Sequence, residues 1–435
     1  MPSSTRSVPD TDSTPVTSTA AAEEDSGPPR WLVLLLAVSC GLTVANLYYA
    51  QPLLSALQQY FRVSSVAAAG LITVTQVGYA AGLIFLVPLG DRLENRRLVA
   101  ALLGAASVAL AVAGLAPAFP MLLISLLVGA GTLVVVQILV PFAADLAPDR
   151  TRGRVVGRVM TGLLSGILLS RTLGSILAAA TDWRVVYLVS AALMITLALV
   201  LRSALPRREP TAQHSYGRLL RSTAHLVRIH PALRRRALYQ AAMFGAFSAF
   251  WTTISFVLTS APYHYGQLGV GLFALVGAGG ALIAPLAGRW ADSGLTRPMT
   301  AAAFLAAILA FALSAFGRRE IVVLGLAAVV LDMAVQASLI LGQQVIFRLD
   351  PLARARINSA FMAVFFLGGA AGSQIGSVAY RAGGWTAVAA FGGVLGALAL
   401  VFWTTERRSA PRPSAVGAEA AVAVQELPVD PAALG

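Results

Sequence analysis

Residues 185–208 read VVYLVSAALMITLALVLRSALPRR: seventeen uncharged positions, then three arginines within the next seven. A helix needs about 20 mostly apolar residues to cross a ~30 Å hydrocarbon core, and Ser203–Leu205 carry this run to that length. The arginines that follow stop it at a membrane face. The same grammar repeats along the chain, with apolar runs divided by short charged or Pro/Gly breaks. It predicts spans at 31–57, 65–90, 98–116, 119–146, 155–180 and 185–205, then 237–261, 267–288, 298–316, 321–348, 357–380 and 385–404.

Composition agrees with that reading. Of 435 residues 57% are hydrophobic and 12% charged, with a mean hydropathy of +0.76; average soluble domains are about 25% charged. A buried core of such size would still need a polar skin, so a soluble enzyme is excluded. The expected fold is an all-α membrane protein of twelve transmembrane helices. Two six-helix bundles, 31–205 and 237–405, flank a basic linker at 206–236, and loose Ser/Thr/Pro- or Ala/Pro-rich tails occupy 1–30 and 406–435.

All 32 basic residues are arginines. With both tails inside, the inner loops and tails hold 26 of them and the outer loops five, which by the positive-inside rule predicts cytoplasmic termini. Short loops and the arginine-only, alanine-rich composition favour a bacterial cytoplasmic (inner) membrane. Arginines dealt out loop by loop do not form a nucleic-acid face. In the linker, Leu219, Leu220, Thr223, Leu226 and Val227 make an apolar stripe flanked by Arg218, Arg221 and Arg228. It fits a helix lying on an anionic leaflet or a solvated linker helix.

Chemistry is absent where an enzyme would need it. Cys40 is the single cysteine, and His214, His225, His230 and His264 lack ligand partners at metal-binding spacing. Without a lysine no Walker A motif exists, so no cofactor is implied, and energy must come from an ion gradient or from the flow of a small-molecule substrate.

Arg152, Arg154, Gly166, Gly174, Ser175 and Trp183 recur 202 residues later as Arg354, Arg356, Gly368, Gly376, Ser377 and Trp385. Two repeats in one orientation imply a pseudo-twofold axis along the membrane normal, substrate bound near the midplane between halves, and access alternated by rocking them.

Pro88-Leu-Gly-Asp-Arg-Leu-Glu-Asn-Arg-Arg97 resembles the loop motif of the major facilitator superfamily. Asp145-Leu-Ala-Pro-Asp-Arg-Thr-Arg-Gly-Arg154 and Ala45-Asn-Leu-Tyr-Tyr-Ala-Gln-Pro52 resemble its bacterial efflux-type, drug/proton antiporter-like branch. The likeness spans 31–404. It departs from the pattern at Val87, Glu94, Ser125 and Ser293, and at Arg171, which stands where the span-five antiporter motif has proline. The resemblance implies a cytoplasmic gating motif of Asp91, Arg92, Asp145 and Asp292, in which Asp91 caps helix eleven near Arg354 and Arg92 reaches Asp145. Simple interfacial anchoring is the alternative.

Polar residues facing lipid are costly, so those at helical spacing inside spans should look inward. Ser39, Thr43 and Asn46 lead toward Tyr49 in span one. Gln76, Gln137, Gln240, Trp251 and Gln336 are the further substrate-cavity candidates. Arg171 and Asp332 are the proton-coupling candidates: ionisable residues deep in a bundle usually serve transport, although a fixed structural ion pair would place the same residues there. Each lies about 16–18 Å from the outer helix end at 1.5 Å per residue, one in each half. The expectation is a monomeric secondary transporter exporting a small apolar or amphipathic compound in exchange for protons. Uptake or facilitated diffusion of a metabolite, and a non-transporting sensor on the same fold, are the alternatives.

Overall fold

The computed structural model describes residues 28–207, 216–350 and 353–406, and every regular element among them is helical. In chain order these are α1 (Arg30–Ala45), α2 (Ala50–Phe61), α3 (Ser65–Phe85), α4 (Asn95–Gly114), α5 (Phe119–Thr132), α6 (Val136–Asp145), α7 (Asp149–Ala180) and α8 (Trp183–Ala204). From within the linker onward come α9 (Tyr216–Ile229), α10 (Pro231–Thr259), α11 (Gln267–Ala274), α12 (Ala284–Asp292), α13 (Thr296–Phe316), α14 (Ile321–Ile346) and α15 (Arg354–Thr404). Ten helical stretches among the described residues are long and apolar enough to cross a membrane. The tails at 1–27 and 407–435 lie outside the described residues.

The helices depart from uninterrupted spans at several places, and three of them have a plain local cause. Span one breaks at 46–49 into α1 and α2, where Leu47 and Tyr48 N–H groups bond three residues back to Val44 and Ala45. Pro52 in the first turn of α2 has no N–H to continue an α-helical ladder. Between α11 and α12 the chain tightens into a 3-10 segment, Leu275–Ile283, rich in glycine and followed by Pro285. Such non-α stretches at membrane depth persist where they are packed against protein. The 51-residue α15 contains two non-helical glycines, Gly383 and Gly384, the latter at φ +62°, so it holds two spans joined by a reversal. A side chain with Cβ disfavours that left-handed conformation.

The two halves are built around matching close crossings. A Cβ on Gly166 would stand 2.2 Å from the Gly41 carbonyl oxygen, and one on Gly372 2.0 Å from that of Gly245. α1 therefore meets α7 backbone to backbone, as α10 meets α15. The crossing glycines correspond at an offset of 204 on α1 and α10 and of 206 on α7 and α15, the latter one helical turn beyond the 202 of the arginine loops. Those loops also match: Arg152 Nε donates to Ala144 O at 3.0 Å and Arg354 Nε to Phe347 O at 3.0 Å.

Two expectations shift. The linker stripe packs partly on protein: Leu226 joins Leu233, Ile346, Ile357 and Phe361 in one apolar cluster, while Arg356 donates to Ser222 at 2.7 Å. Glu406, assigned to a loose tail, is paired with the buried Arg236 at 3.0 Å, and its carbonyl accepts from Arg297 at 3.1 Å. An apolar stripe is covered by whichever apolar surface is nearest, and a carboxylate within reach offsets the cost of burying a guanidinium.

Candidate functional site

Mid-depth polar groups from both halves converge on Trp251 of α10. Its indole Nε1 donates to Asp332 Oδ1 at 2.8 Å, and its ring carries the Arg171 guanidinium 4.3 Å above its centroid. Arg171 comes from α7 and Asp332 from α14, so an aromatic side chain stands between the two charges instead of a direct ion pair. Arg171 is 4% exposed and Asp332 8%. The guanidinium is further enclosed by Tyr48 at 5.2 Å and Phe247 at 5.4 Å, and its Nε donates to Gln51 Oε1 at 2.9 Å. Cation–π contacts of this kind grow stronger when desolvated. Arg171 Nη2 has no hydrogen-bond partner among the described residues. Beside it, Gln51, Trp251, Ile254 and Phe273 enclose a cavity of about 10 Å³, room for one water.

The glycine-rich 3-10 segment seals the other side of the acid. A Cβ on Gly277 would reach within 2.7 Å of Asp332 Oδ2, and one on Gly280 within 2.5 Å of its Cβ. Close approach is what these glycines permit, and it places backbone against a membrane-buried carboxylate.

The cavity candidates divide. Ser39, Thr43 and Asn46 are all buried, and Ser39 Oγ, Thr43 Oγ1 and Asn46 Oδ1 lack partners among the described residues. The Asn46 amide donates back to Leu42 O at 2.9 Å. Gln76 crosses between halves, donating to Ser248 at 3.0 Å with Oε1 left over. Gln240 is tied within its own half to Ser338 at 2.9 Å and Val335 O at 3.4 Å. Gln137 accepts from Asn358 at 3.5 Å, again across halves. Gln336 is half-buried. Tyr49 packs on Gly174 of α7 instead of joining the charged cluster. Tyr48, Gln51 and Phe247 do join it and were not singled out from sequence. Of the gating residues, the Asp91 side chain lies outside the described residues, Arg92 and Asp292 are exposed, and Asp145 closes α6.

Toward the arginine-poor end the halves meet along two uncharged seams. In one, Gln267 donates to Pro52 O at 2.7 Å and Ser175 at 3.3 Å, and Thr172 donates to Gly271 O at 3.0 Å. In the other, Ser377 donates to Ser65 O at 3.1 Å, Gln374 to Val66 O at 3.4 Å, and the Thr73 and Ser373 hydroxyls lie 3.0 Å apart. Ser175 and Ser377, like Ser65 and Gln267, are 202 apart, so the second seam repeats the first by pseudosymmetry.

Residues 34–347 match the family model described as Major Facilitator Superfamily. The chain is 39% identical over 372 residues to the uncharacterized transporter YgaY of Escherichia coli O157:H7, covering 86% of this chain and 94% of that one. It is 35% identical over 413 residues to a Streptomyces coelicolor protein named "Probable transporter SCO4007", covering 93% and 94%. Among solved structures, a bacterial homologue of the lysosomal transporter Spinster, inward-facing and occupied, aligns at TM-score 0.68 with 17% identity, covering 86% of this chain and 96% of that one. The human organic anion transporter MFSD10 aligns at 0.65 with 19%, covering 86% and 100%. At those identities the structures share the fold alone.

Proposed function

The chain belongs to the Major Facilitator Superfamily and is a membrane transporter of that type; from that premise we propose that it exports a small apolar or amphipathic compound in exchange for protons, by rocking its halves. In this reading it crosses a bacterial cytoplasmic membrane twelve times as a monomer, with both termini inside.

The observation that carries the proposal is the Arg171–Trp251–Asp332 stack. Arg171, Gln51 and Tyr48 belong to the first half, Trp251, Phe247 and Asp332 to the second. Rocking therefore lifts the guanidinium off the indole face. While the halves are together, Arg171 and Asp332 balance each other across one ring. Once they separate, the carboxylate is left buried without its countercharge, and a proton neutralises it at the lowest cost. Cargo with an apolar face can instead take the place of Arg171 against Trp251 and Phe247, so that the opened site holds either a proton or cargo and not both. The arginine's return expels the proton on one side and the cargo on the other in successive half-cycles, which makes the exchange.

Reconstituted protein tests this. Asp332→Asn keeps an acceptor for the indole N–H but cannot shed a proton. Transport driven by a proton gradient is expected to vanish while substrate counterflow persists. Gradient-driven flux at the wild-type rate would remove Asp332 from the coupling step.

A further inference from the structure

Outside the central cluster, a second site lies where α1 crosses α7. Gly41, Gly162 and Gly166 bring the two backbones into contact, and no side chain among the described residues fills the cleft above them. The result is a groove of about 520 Å³ with a floor of small residues and walls that include Leu34, Val38, Leu169 and Leu173. That volume lies within the ~300–1,000 Å³ typical of small-molecule sites. The four wall residues are 65%, 45%, 44% and 55% exposed, so the groove opens away from the bundle interior.

Its two ends differ. From Arg30 to Tyr49 it follows span one for about 28 Å at 1.5 Å per residue, nearly the thickness of a hydrocarbon core. At the arginine-rich end Arg30 and Arg158 line it. There, too, α1 begins at Arg30 with no side chain among the described residues capping its N-terminus. A cation at the positive pole of a helix is unfavourable unless an anion offsets both. Trp31, 57% exposed beside it, is a residue type that sits at headgroup depth. The second half has no counterpart for this pair of charges: 202 residues beyond Arg158 the chain has Ala360.

We propose that this groove is a binding site for an anionic phospholipid, its acyl chain lying along the glycine floor and its phosphate held between Arg30 and Arg158. Neither residue belongs to the transport machinery, so occupancy braces the α1–α7 crossing on which Arg171 is mounted. Basic pockets between transmembrane helices bind acidic headgroups in this way.

The test uses the full-length protein in nanodiscs of equal parts phosphatidylcholine and phosphatidylglycerol, then extracted gently so that retained lipids are counted by native mass spectrometry. Each arginine near an anionic lipid surface contributes about a five-fold preference, so two give phosphatidylglycerol an enrichment of about 25-fold. Arg30→Gln/Arg158→Gln is expected to bring the ratio near parity, and Val38→Trp, which fills the groove with both charges intact, to lower total retention. The charge-matched control Arg97→Gln/Arg154→Gln is expected to keep the enrichment. Equal enrichment in the groove and control variants would overturn the site. So would retained phosphatidylcholine, or displacement of the lipid by a neutral apolar transport substrate, which would make the groove a cargo portal.

Discussion

At the scale of single residues, Trp251 does two jobs that can be separated chemically. Its face holds Arg171 and its N–H holds Asp332. Phenylalanine keeps the first and loses the second. A buried acceptor that loses its donor costs about 1–3 kcal/mol, so Trp251→Phe is expected to weaken gradient-driven transport by about ten-fold or more while counterflow changes little. Counterflow falling as steeply would show that the indole serves cargo binding and not coupling. Arg171 and Asp332 were legible in the sequence because a charge inside an apolar span is conspicuous. Tyr48 and Gln51 were not, since helical spacing carried the Ser39, Thr43, Asn46 face on to Tyr49. The chain leaves the α-helix just there, turning Tyr48 toward Arg171. Pro52 was the signal, because a proline removes the donor to the carbonyl four residues before it.

At the scale of elements, the crossings of α1 with α7 and of α10 with α15 hold each half together. Alanine normally improves a helix over glycine by about 1 kcal/mol. Gly157, with nothing within 4 Å of an added Cβ, is expected to follow that rule. Gly166 is expected to break it, because a Cβ there meets the Gly41 carbonyl oxygen at 2.2 Å, and overpacking typically costs ~1–3 kcal/mol. Thermal unfolding in detergent checks the pair: Gly157→Ala unchanged or raised, Gly166→Ala lowered by several degrees. A Gly166→Ala protein as stable as its Gly157→Ala control would mean that the backbones do not touch. The 202-residue repeat marked Gly166 and paired it with Gly368, but it did not mark Gly41, Gly245 or Gly372, because the crossing on α15 sits one turn further on. The 3-10 segment Leu275–Ile283 was likewise hidden. Its residues are apolar enough to read as plain span, and only packing against Asp332 distinguishes it.

At the scale of the whole molecule, two pseudosymmetric seams close the arginine-poor end, and the cluster at Trp251 lies beneath them. The seams contain hydroxyls, amides and backbone carbonyls but no ion pair among the described residues. Neutral hydrogen bonds exchange with water at small net cost, about 0.5–1.5 kcal/mol each. Such an interface can open and close with little bias, as a transporter that visits both states requires. The Thr73 and Ser373 hydroxyls, 3.0 Å apart across the second seam, offer a direct lock. In a Cys40→Ala background, Thr73→Cys/Ser373→Cys is expected to cross-link under mild oxidation, since a disulfide needs its Cβ atoms about 3.5–4.5 Å apart. Transport should stop on oxidation and recover on reduction, while either single cysteine transports normally throughout. If the cross-linked protein still moves substrate at the rate of its reduced form, the halves do not part along this seam, and the rocking motion assigned to Arg171 and Trp251 loses its hinge.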